Sequence, residues 1–369
     1  MLPVSTYWRV VLLGMLISAV IWLFMFRESL GGVSRTTKKS LMMSLQAHIS
    51  TRIKVSGLGY ASQVIQAEPD AKSALDANPA LDAKPALPET TNNSLTPLIL
   101  YAYAESETAR ENLQFFLEKG LHGGADFIFI FNGETDAFSL IPEHPNVKII
   151  QRENKCFDLG GMGEILRKDD LWKRYKRFIT MNASIKGPFF PRYDKTSCWS
   201  DIFLDRVTET IKLVGTTVNC QPSPHLQSML WATDNVGMGI LLDPALAHSV
   251  PQEDHWGTVD DPVGLSFCHE TMDAAVHSEL GSTRLITSQG YRVDALMTAY
   301  DLSADSDVEE YCRIGQFEDI LYEKKYYGSN IHPYETIFFK SNRGIDPVLL
   351  GKLTDWHLKN GLNSWDTCK

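Results

Sequence analysis

The sequence predicts an α/β protein with a mostly parallel β-sheet and helices on its faces. From residue 96 onward, short apolar runs alternate with segments of helical spacing, the pattern of parallel strands joined by helical crossovers. With 369 residues, of which 44% are hydrophobic, the chain can bury a full core. Polar residues follow the predicted strands directly, so we expect a binding site at the carboxyl edge of the sheet.

The amino-terminal segment lacks this alternation and predicts a membrane anchor. Residues 10–26 form an uncharged apolar run between Arg9 and Arg27, at the short end of what spans a bilayer. A cleaved signal peptide would have a shorter apolar run followed by small residues, whereas bulky and charged residues follow here. We therefore expect a short tail (1–9) and an uncleaved signal-anchor in the lipid bilayer.

Residues 27–96 predict a disordered stem. Three related hexads, DAKSAL, DANPAL and DAKPAL, occupy residues 70–87, and their Ala/Asp/Pro-rich composition cannot build a core. The stem is expected to hold the following domain away from the membrane. Asn92 opens an Asn-Asn-Ser sequon near its end, which predicts glycosylation there.

Charge and cysteine content narrow the possible partners. The net charge is −10, which argues against a nucleic-acid partner because phosphate binding needs a basic face. The basic run within residues 167–177 is interpreted as the solvated face of a helix. Without a CxxC pair, the six cysteines do not support a zinc site, and both buried free thiols and up to three disulfides remain open. These cysteines are Cys156, Cys198, Cys220, Cys268, Cys312 and Cys368.

Four apolar runs predict strands of the sheet, at residues 98–102, 126–131, 147–150 and 178–181. Residues 106–119 have helical spacing and end before Gly120, a plausible C-cap. A second helix is expected at 160–166 and another at 227–233. Polar residues at the ends of the strands mark the expected site, namely Tyr103, Asn132, Gly133, Arg152, Glu153, Asn154, Asn182 and Ser184.

Four segments, in this order and spacing, carry a resemblance to a known family: 152–166, 175–191, 225–234 and 331–343. The first three resemble the bacterial rhamnan-synthesis F glycosyltransferases, and the set resembles related eukaryotic single-pass membrane glycosyltransferases. The resemblance covers residues from about 95 to 369. It implies a GT-A-like, Rossmann-type domain at 97–369 that binds a nucleotide-sugar donor.

The residues around the predicted third and fourth strands suit such a donor. Asp158 can accept hydrogen bonds from ribose or a base, and Arg152 can pair with phosphate. Alternatively, Asp158 caps the helix that is expected near Gly160, and His225 is a structural histidine. The donor-binding candidates are Tyr103, Arg152, Asn154, Asp158, Asn182, Ser184, Lys186, His225, Gln227, Lys340 and Arg343.

Metal binding is not expected from the sequence. GT-A transferases usually carry an acidic pair after the fourth strand, whereas this chain has Asn182-Ala183-Ser184. A hard cation such as Mg²⁺ or Mn²⁺ wants anionic oxygen ligands, so we predict no metal ligand, although a divalent metal stays an open alternative. Cations must then stabilise the leaving diphosphate, and the candidates are Lys186, Arg192, Lys340 and Arg343.

An inverting transferase needs a general base for the acceptor hydroxyl. Residues 279–291, a Ser/Thr-rich helix followed by Gly290-Tyr291, resemble the segment near the base in related enzymes. The resemblance implies that Glu279, ahead of that helix, is the base, with Glu270 and Asp273 as alternatives. A retaining mechanism stays open, because a nucleophile and a base cannot be told apart here.

The resemblance implies a type II protein of the Golgi or ER membrane with a lumenal catalytic domain. It would transfer a hexose or deoxyhexose from a nucleotide sugar to a glycan or glycoconjugate. The positive charges after the anchor favour the opposite topology. Another reading is a non-catalytic carbohydrate-binding or scaffolding relative, while a hydrolase is disfavoured because no GxSxG elbow is present.

Overall fold

The computed structural model describes residues 96–251, 253–300, 307–314 and 318–369. The predicted anchor, the hexads and Asn92 lie outside these residues and stay predictions. None of the helices within the described ranges combines the length and apolarity that a bilayer span requires.

The described chain contains eleven strands and nine α-helices. The strands are β1 (Leu98–Ala104), β2 (Asp126–Asn132), β3 (Val147–Arg152), β4 (Arg177–Asn182), β5 (Ile185–Lys186), β6 (Ile211–Gly215), β7 (Val218–Asn219), β8 (His225–Leu226), β9 (Leu230–Asp234), β10 (Arg292–Ala295) and β11 (Phe339–Lys340). The helices are α1 (Glu107–Lys119), α2 (Phe157–Arg167), α3 (Trp199–Leu204), α4 (Asn235–Leu241), α5 (Met272–Ser288), α6 (Val308–Ile314), α7 (Pro333–Thr336), α8 (Pro347–Lys359) and α9 (Ser364–Thr367).

A seven-stranded sheet forms the centre of the described region, in the order β10-β6-β9-β4-β1-β2-β3. Six of its strands run parallel, and β9 runs antiparallel to both β4 and β6. The predicted mostly parallel α/β sheet is therefore confirmed. All four predicted strands are present, each extended by one or two residues.

Helix α1 confirms the first predicted helix and its ends. The Ser106 side chain caps it by accepting a hydrogen bond from the Ala109 N–H at 3.1 Å. At the other end, the Gly120 N–H donates to the Phe116 carbonyl at 2.7 Å, as the predicted C-cap. Leu113 and Phe116 on its apolar face are fully buried, so α1 covers one face of the sheet.

Helix α2 begins at Phe157, three residues earlier than expected, and packs closely on a later segment. A Cβ at Gly163 would lie only 1.7 Å from the Leu265 carbonyl oxygen. The disulfide Cys156–Cys268 joins the same two segments beside this contact. Gly163 therefore permits a close approach between α2 and the segment around Leu265.

Three expectations about local structure are wrong. Residues 227–233 do not form a helix, because most of them belong to β9, which lies between β4 and β6. A five-residue apolar run has no period by which to tell a strand from a helix. Glu279 does not precede a helix but lies inside α5. The basic run is not one helical face, since Asp169 and Asp170 have left-handed backbone conformations that interrupt it.

All six cysteines form disulfides: Cys156–Cys268, Cys198–Cys368 and Cys220–Cys312. Sequence separations of 92 to 170 residues mean that each bond closes a long loop. In the chain-entropy view, such bonds stabilise the fold by restricting the unfolded chain. The free-thiol alternative is therefore excluded.

Candidate functional site

A polar network at the carboxyl edge of the parallel strands centres on Asn182, the last residue of β4. Its Nδ2 donates to Asp158 Oδ2 at 2.5 Å. Its Oδ1 accepts from the Ser184 N–H at 3.1 Å and from the Ser184 hydroxyl at 2.6 Å. Three of the predicted donor-binding residues therefore lie in direct contact, as expected for side chains that follow parallel strands.

Asp158 belongs to the first turn of α2 and is half-buried. Burial raises the pKa of this carboxyl and the nearby Glu279 raises it further, whereas the hydrogen bond from Asn182 opposes both effects. The expectation that Asp158 is the N-cap is wrong, because the helix starts earlier and Cys156 occupies the cap position. One oxygen of Asp158 accepts from the adjacent Leu159 N–H at 3.0 Å.

Lys340 brings a cation to this network from the far end of the chain. Its Nζ donates to Ser184 Oγ at 3.3 Å. Strand β11 pairs with β5 in antiparallel register, with Lys340 opposite Ile185, and this pairing holds the lysine next to the turn after β4. Burial lowers the pKa of Lys340, while the charges of Glu279 and Asp158 oppose that shift.

Lys186 lies on the adjacent strand but faces the other way. Because successive side chains of a strand alternate, Lys186 and Lys340 occupy opposite faces of the β5–β11 pair. The Lys186 ammonium lies 3.6 Å from Glu111 Oε2 on α1. Arg192, another predicted cation, is exposed. Of these three residues, Lys340 is the one that contacts the Asn182 network.

Arg343 forms a second cationic position close to Lys340. Its guanidinium pairs with Asp319 at 3.1 Å and stacks 4.0 Å from the ring centre of Tyr322. Gln227 Nε2 also reaches Asp319, at 3.5 Å. The predicted residues Gln227 and Arg343 are therefore joined through an aspartate that the sequence did not indicate.

Glu279 is the predicted base that the structure brings to the network. Its Oε1 accepts the Ser228 N–H at 2.5 Å, which fixes the half-buried carboxylate. Its charge raises the pKa values of both Asp158 and Lys340. Ser228 precedes Met229, whose carbonyl accepts the Asn182 N–H at 3.1 Å, and this links Glu279 to the network. Glu270 and Asp273 are exposed, before and at the start of α5.

Arg152 and Tyr103 make structural contacts instead of joining the network. The Arg152 guanidinium donates to Asn132 Oδ1 at 2.9 Å and to the Lys155 carbonyl at 2.7 Å. The Tyr103 hydroxyl donates to Glu105 at 2.9 Å, and burial together with this bond raises the pKa of Tyr103 to about 12. Both groups are therefore already occupied by partners from the fold.

His225 and Asn154 also lie apart from the network contacts. His225 is buried in β8, and its Nδ1 lies 2.7 Å from the Ser223 carbonyl, which fits the structural alternative. Asn154 is exposed in the turn after β3.

Glu105 was missed, although it directly follows β1. Glu105 accepts two hydrogen bonds from Arg110 and contacts Thr135. The bonds from Arg110 lower the pKa of Glu105 to about 2. The rule that selected residues at strand ends applies to Glu105 as well. Asp319 had no such signal, because it follows no predicted element and its position depends on tertiary contacts with Arg343.

The described part of the chain offers no carboxylate cluster for a metal at this edge. Among the residues that the structure describes, the grouped metal-type side chains are His122, Cys198 and Cys368. Both cysteines are bonded to each other in a disulfide, so they are not available as thiolate ligands.

Three of the solved structures that match this chain have names of glycosyltransferases or sugar transferases. The glycosyltransferase GlyE of Streptococcus pneumoniae matches with a TM-score of 0.27 and 9% identity, over 39% of this chain and 35% of that one. A protein assigned as a nucleotide-diphospho-sugar transferase from Desulfovibrio desulfuricans matches at 0.31 and 13%, over 59% and 93%. The mannosyltransferase PcManGT of Pyrobaculum calidifontis, in complex with GDP-Man and Mn²⁺, matches at 0.31 and 13%, over 55% and 54%.

This chain thus spans about a third of the length of GlyE and about half of PcManGT. No protein-family model and no curated protein sequence matches it. TM-scores below 0.5 assign neither a family nor an activity, so the resemblance to rhamnan-synthesis F proteins stays a prediction.

Proposed function

We propose that this chain is a glycosyltransferase that takes a sugar from a nucleotide-diphosphate donor. The supporting observation is that four separate segments bring Asp158, Asn182 with Ser184, Glu279 and Lys340 to one edge of the sheet. This edge is where open α/β sheets bind their ligands. It combines a cation for phosphate with two carboxylates, one for hydroxyl recognition and one for proton abstraction.

The donor's contacts follow from these chemistries. A carboxylate such as Asp158 accepts hydrogen bonds from vicinal hydroxyls of a ribose or sugar. The Lys340 ammonium can donate to phosphate oxygens, and charge-assisted bonds of this kind are the stronger ones. Arg343 lies close enough to add positive potential to the same position.

The proposed chemistry is a single displacement with inversion. The Glu279 carboxylate accepts the proton of the acceptor hydroxyl while the hydroxyl oxygen attacks the anomeric carbon of the donor. The bond between that carbon and the phosphate oxygen breaks, and the electron pair leaves with the nucleoside diphosphate. The Ser228 N–H holds Glu279 in one position and so favours this role.

The acceptor and location extend the same proposal. We assign a glycan or glycoconjugate acceptor, a hexosyl or deoxyhexosyl donor and a type II position in the Golgi or ER membrane. Three disulfides are typical of an oxidising compartment, which supports a lumenal domain. Protease protection of the chain in sealed microsomes, with removal of any glycan at Asn92, tests this topology.

The activity is tested with the full-length chain, purified from an oxidising compartment. A panel of nucleotide sugars is supplied with and without glycan acceptors, and the released nucleoside diphosphate is measured. At least one donor should turn over, and Glu279→Gln should lower kcat by about 10²- to 10⁴-fold. Glu270→Gln, an exposed carboxylate outside the network, is the matched comparison.

A non-catalytic carbohydrate-binding relative is the second candidate. It is favoured by the fact that Asn182 and Glu279 already have partners within the protein. Binding of a glycan by calorimetry, without binding of any nucleotide sugar, would support this candidate and remove the transferase proposal.

A further inference from the structure

The turn after β4 does not fit the divalent metal that a GT-A-like site implies. Asn182 Oδ1, the side-chain oxygen at the end of β4, already accepts two hydrogen bonds from Ser184. Each carboxylate oxygen of Asp158 accepts one bond as well, from Leu159 and from Asn182. Mg²⁺ and Mn²⁺ favour anionic oxygen ligands, and this donor set has no free pair of them.

A positive charge already lies at this turn. Lys340 Nζ is 3.3 Å from Ser184 Oγ, so a divalent ion coordinated by Ser184 would sit next to an ammonium. Like charges at such separations repel strongly where burial limits screening by water. The lysine and a metal at this position therefore exclude each other.

We propose that the Lys340 ammonium takes the place of the divalent metal, binding the donor's diphosphate and stabilising the charge on the leaving phosphate. The proposal rests on the glycosyltransferase function proposed above. Lys340 then supplies the positive charge that a metal would otherwise supply, and the reaction does not depend on a metal.

The hydrogen-bonding capacity of Lys340 supports this role. An ammonium has three N–H donors. Within the described part of the chain, Ser184 Oγ is the one hydrogen-bond partner of Nζ. The remaining donors can meet two phosphate oxygens without first breaking a contact with the protein.

The backbone around Lys340 is held in place by a buried asparagine. Asn112 Nδ2, on α1, donates to the Ala183 carbonyl and to Ser341 Oγ, each at 2.8 Å. The Ser341 N–H also donates to the Ser184 carbonyl at 3.2 Å. The segment after β4 and the segment that carries Lys340 are thus fixed to each other, which is the preorganisation that charge stabilisation requires.

The bonds and charges of the step balance without a metal. The acceptor oxygen forms a bond to the anomeric carbon, and its proton passes to Glu279. The bond from that carbon to the phosphate oxygen breaks, and both electrons stay on the phosphate. Lys340 remains protonated and donates hydrogen bonds to the phosphate oxygens as their charge grows.

The first experiment measures turnover of the full-length chain with its active nucleotide sugar, with EDTA and with added Mn²⁺ or Mg²⁺. An unchanged kcat in EDTA is expected. Loss of activity in EDTA that Mn²⁺ restores would overturn the inference but leave the glycosyltransferase function standing. Absence of turnover and of nucleotide-sugar binding under every condition would instead remove the proposed function.

The second experiment compares substitutions at Lys340, which is half-buried, and at the buried Lys119. Lys340→Gln should lower kcat by about 10²- to 10³-fold, the effect of removing a donor aimed at developing charge. Lys340→Arg should recover part of the loss, because it keeps the charge. Lys119→Gln is the matched control, since Lys119 lies at the end of α1 and its Nζ contacts the Leu362 carbonyl at 3.2 Å. Equal activities of the two glutamine variants, at equal thermal stability, would overturn the inference.

The pH profile separates a charge role from a structural one. Burial lowers the pKa of Lys340, and the facing charges of Arg343, Glu279, Asp158 and Asp319 modulate it. The wild-type kcat should therefore fall on the alkaline side at a lower pH than an ordinary lysine would give. This decline should disappear in Lys340→Arg, and its persistence there would assign it to another group and contradict the proposal.

Discussion

The segment from β1 to β4 and the segment from β6 to the carboxyl terminus build one sheet by different means. Strands β1, β2 and β4 are almost fully buried, β1 pairs in parallel with both others, and α1 forms the crossover from β1 to β2. Strands β6, β9 and β10 are shorter, and β9 runs antiparallel between β6 and β4. Both regions bury their strands, and in the second region the disulfide Cys220–Cys312 adds a covalent link between distant segments.

The candidate site lies where these two regions meet. Asp158 and Asn182 come from the first region, and Glu279 and Lys340 come from the second. A rigid strand edge thus supplies fixed polar groups, and the later segments bring the charged groups to it. Destabilising substitutions in either region should therefore disturb the site, but they should differ in their effects on the free energy of unfolding and on hydrogen exchange.

The largest expected effect is the loss of an aromatic side chain in the first region. Phe129 in β2 is fully buried, and its ring lies 5.5 Å from Tyr101 and 6.3 Å from Phe116. Phe129→Ala should reduce the free energy of unfolding by about 3–5 kcal/mol, because it leaves a cavity between packed rings. Urea unfolding followed by tryptophan fluorescence measures this, and a loss below about 1 kcal/mol would contradict the assigned core.

Removal of a disulfide in the second region should give the next largest loss in the free energy of unfolding. Cys220–Cys312 joins the β7–β8 segment to α6 across 92 residues. Replacing both cysteines with alanine should cost about 2–4 kcal/mol, chiefly by freeing the unfolded chain. Hydrogen exchange should show greater opening in the second region while amides of β1 and β2 keep their protection. Equal loss of protection in both regions would show that they do not differ in this way.

The contact between the regions is tested by a pair of Gly→Ala substitutions. Gly163 of α2 lies against Leu265, and an added Cβ would clash with its backbone. Gly163→Ala should therefore destabilise by about 1–3 kcal/mol through overpacking. Gly351 lies within α8 with no atom within 4 Å of an added Cβ, so Gly351→Ala should stabilise by about 0.5–1 kcal/mol. Thermal unfolding compares the two, and effects of the same sign would contradict the packing described at Gly163.

The sequence predicts the first region better than the second for a physical reason. Strand β2 and helix α1 follow each other closely, and each shows its own period of burial, so local pattern suffices to identify them. The sequence predicts a helix at residues 227–233, most of which belong to β9, because the pairing of β9 with β4 and β6 depends on tertiary contacts that a local pattern does not show. Disulfide pairing likewise depends on which distant segments meet, which cysteine spacing alone does not encode.

Within the site, the strand-end rule found Asn182 and Ser184 because parallel strands bring their ends together. Lys340 and Glu279 were indicated by resemblance, and their proximity to Asp158 emerges from the fold. Glu105 met the same rule as Asn182 and was missed, whereas Asp319 has no local signal.

The smallest expected effect is the pH dependence contributed by Glu105 at the edge of the first region. Arg110 holds the pKa of Glu105 near 2, below its ordinary value of 4.5, so the folded state prefers the carboxylate. The stabilisation is complete above the unfolded pKa and is lost as the pH falls from about 4.5 toward 2. Because the pair is partly exposed, solvent screening keeps its contribution small. In urea titrations, the stability difference between wild type and Glu105→Gln should shrink over this range, and a constant difference would assign the effect to packing instead of charge.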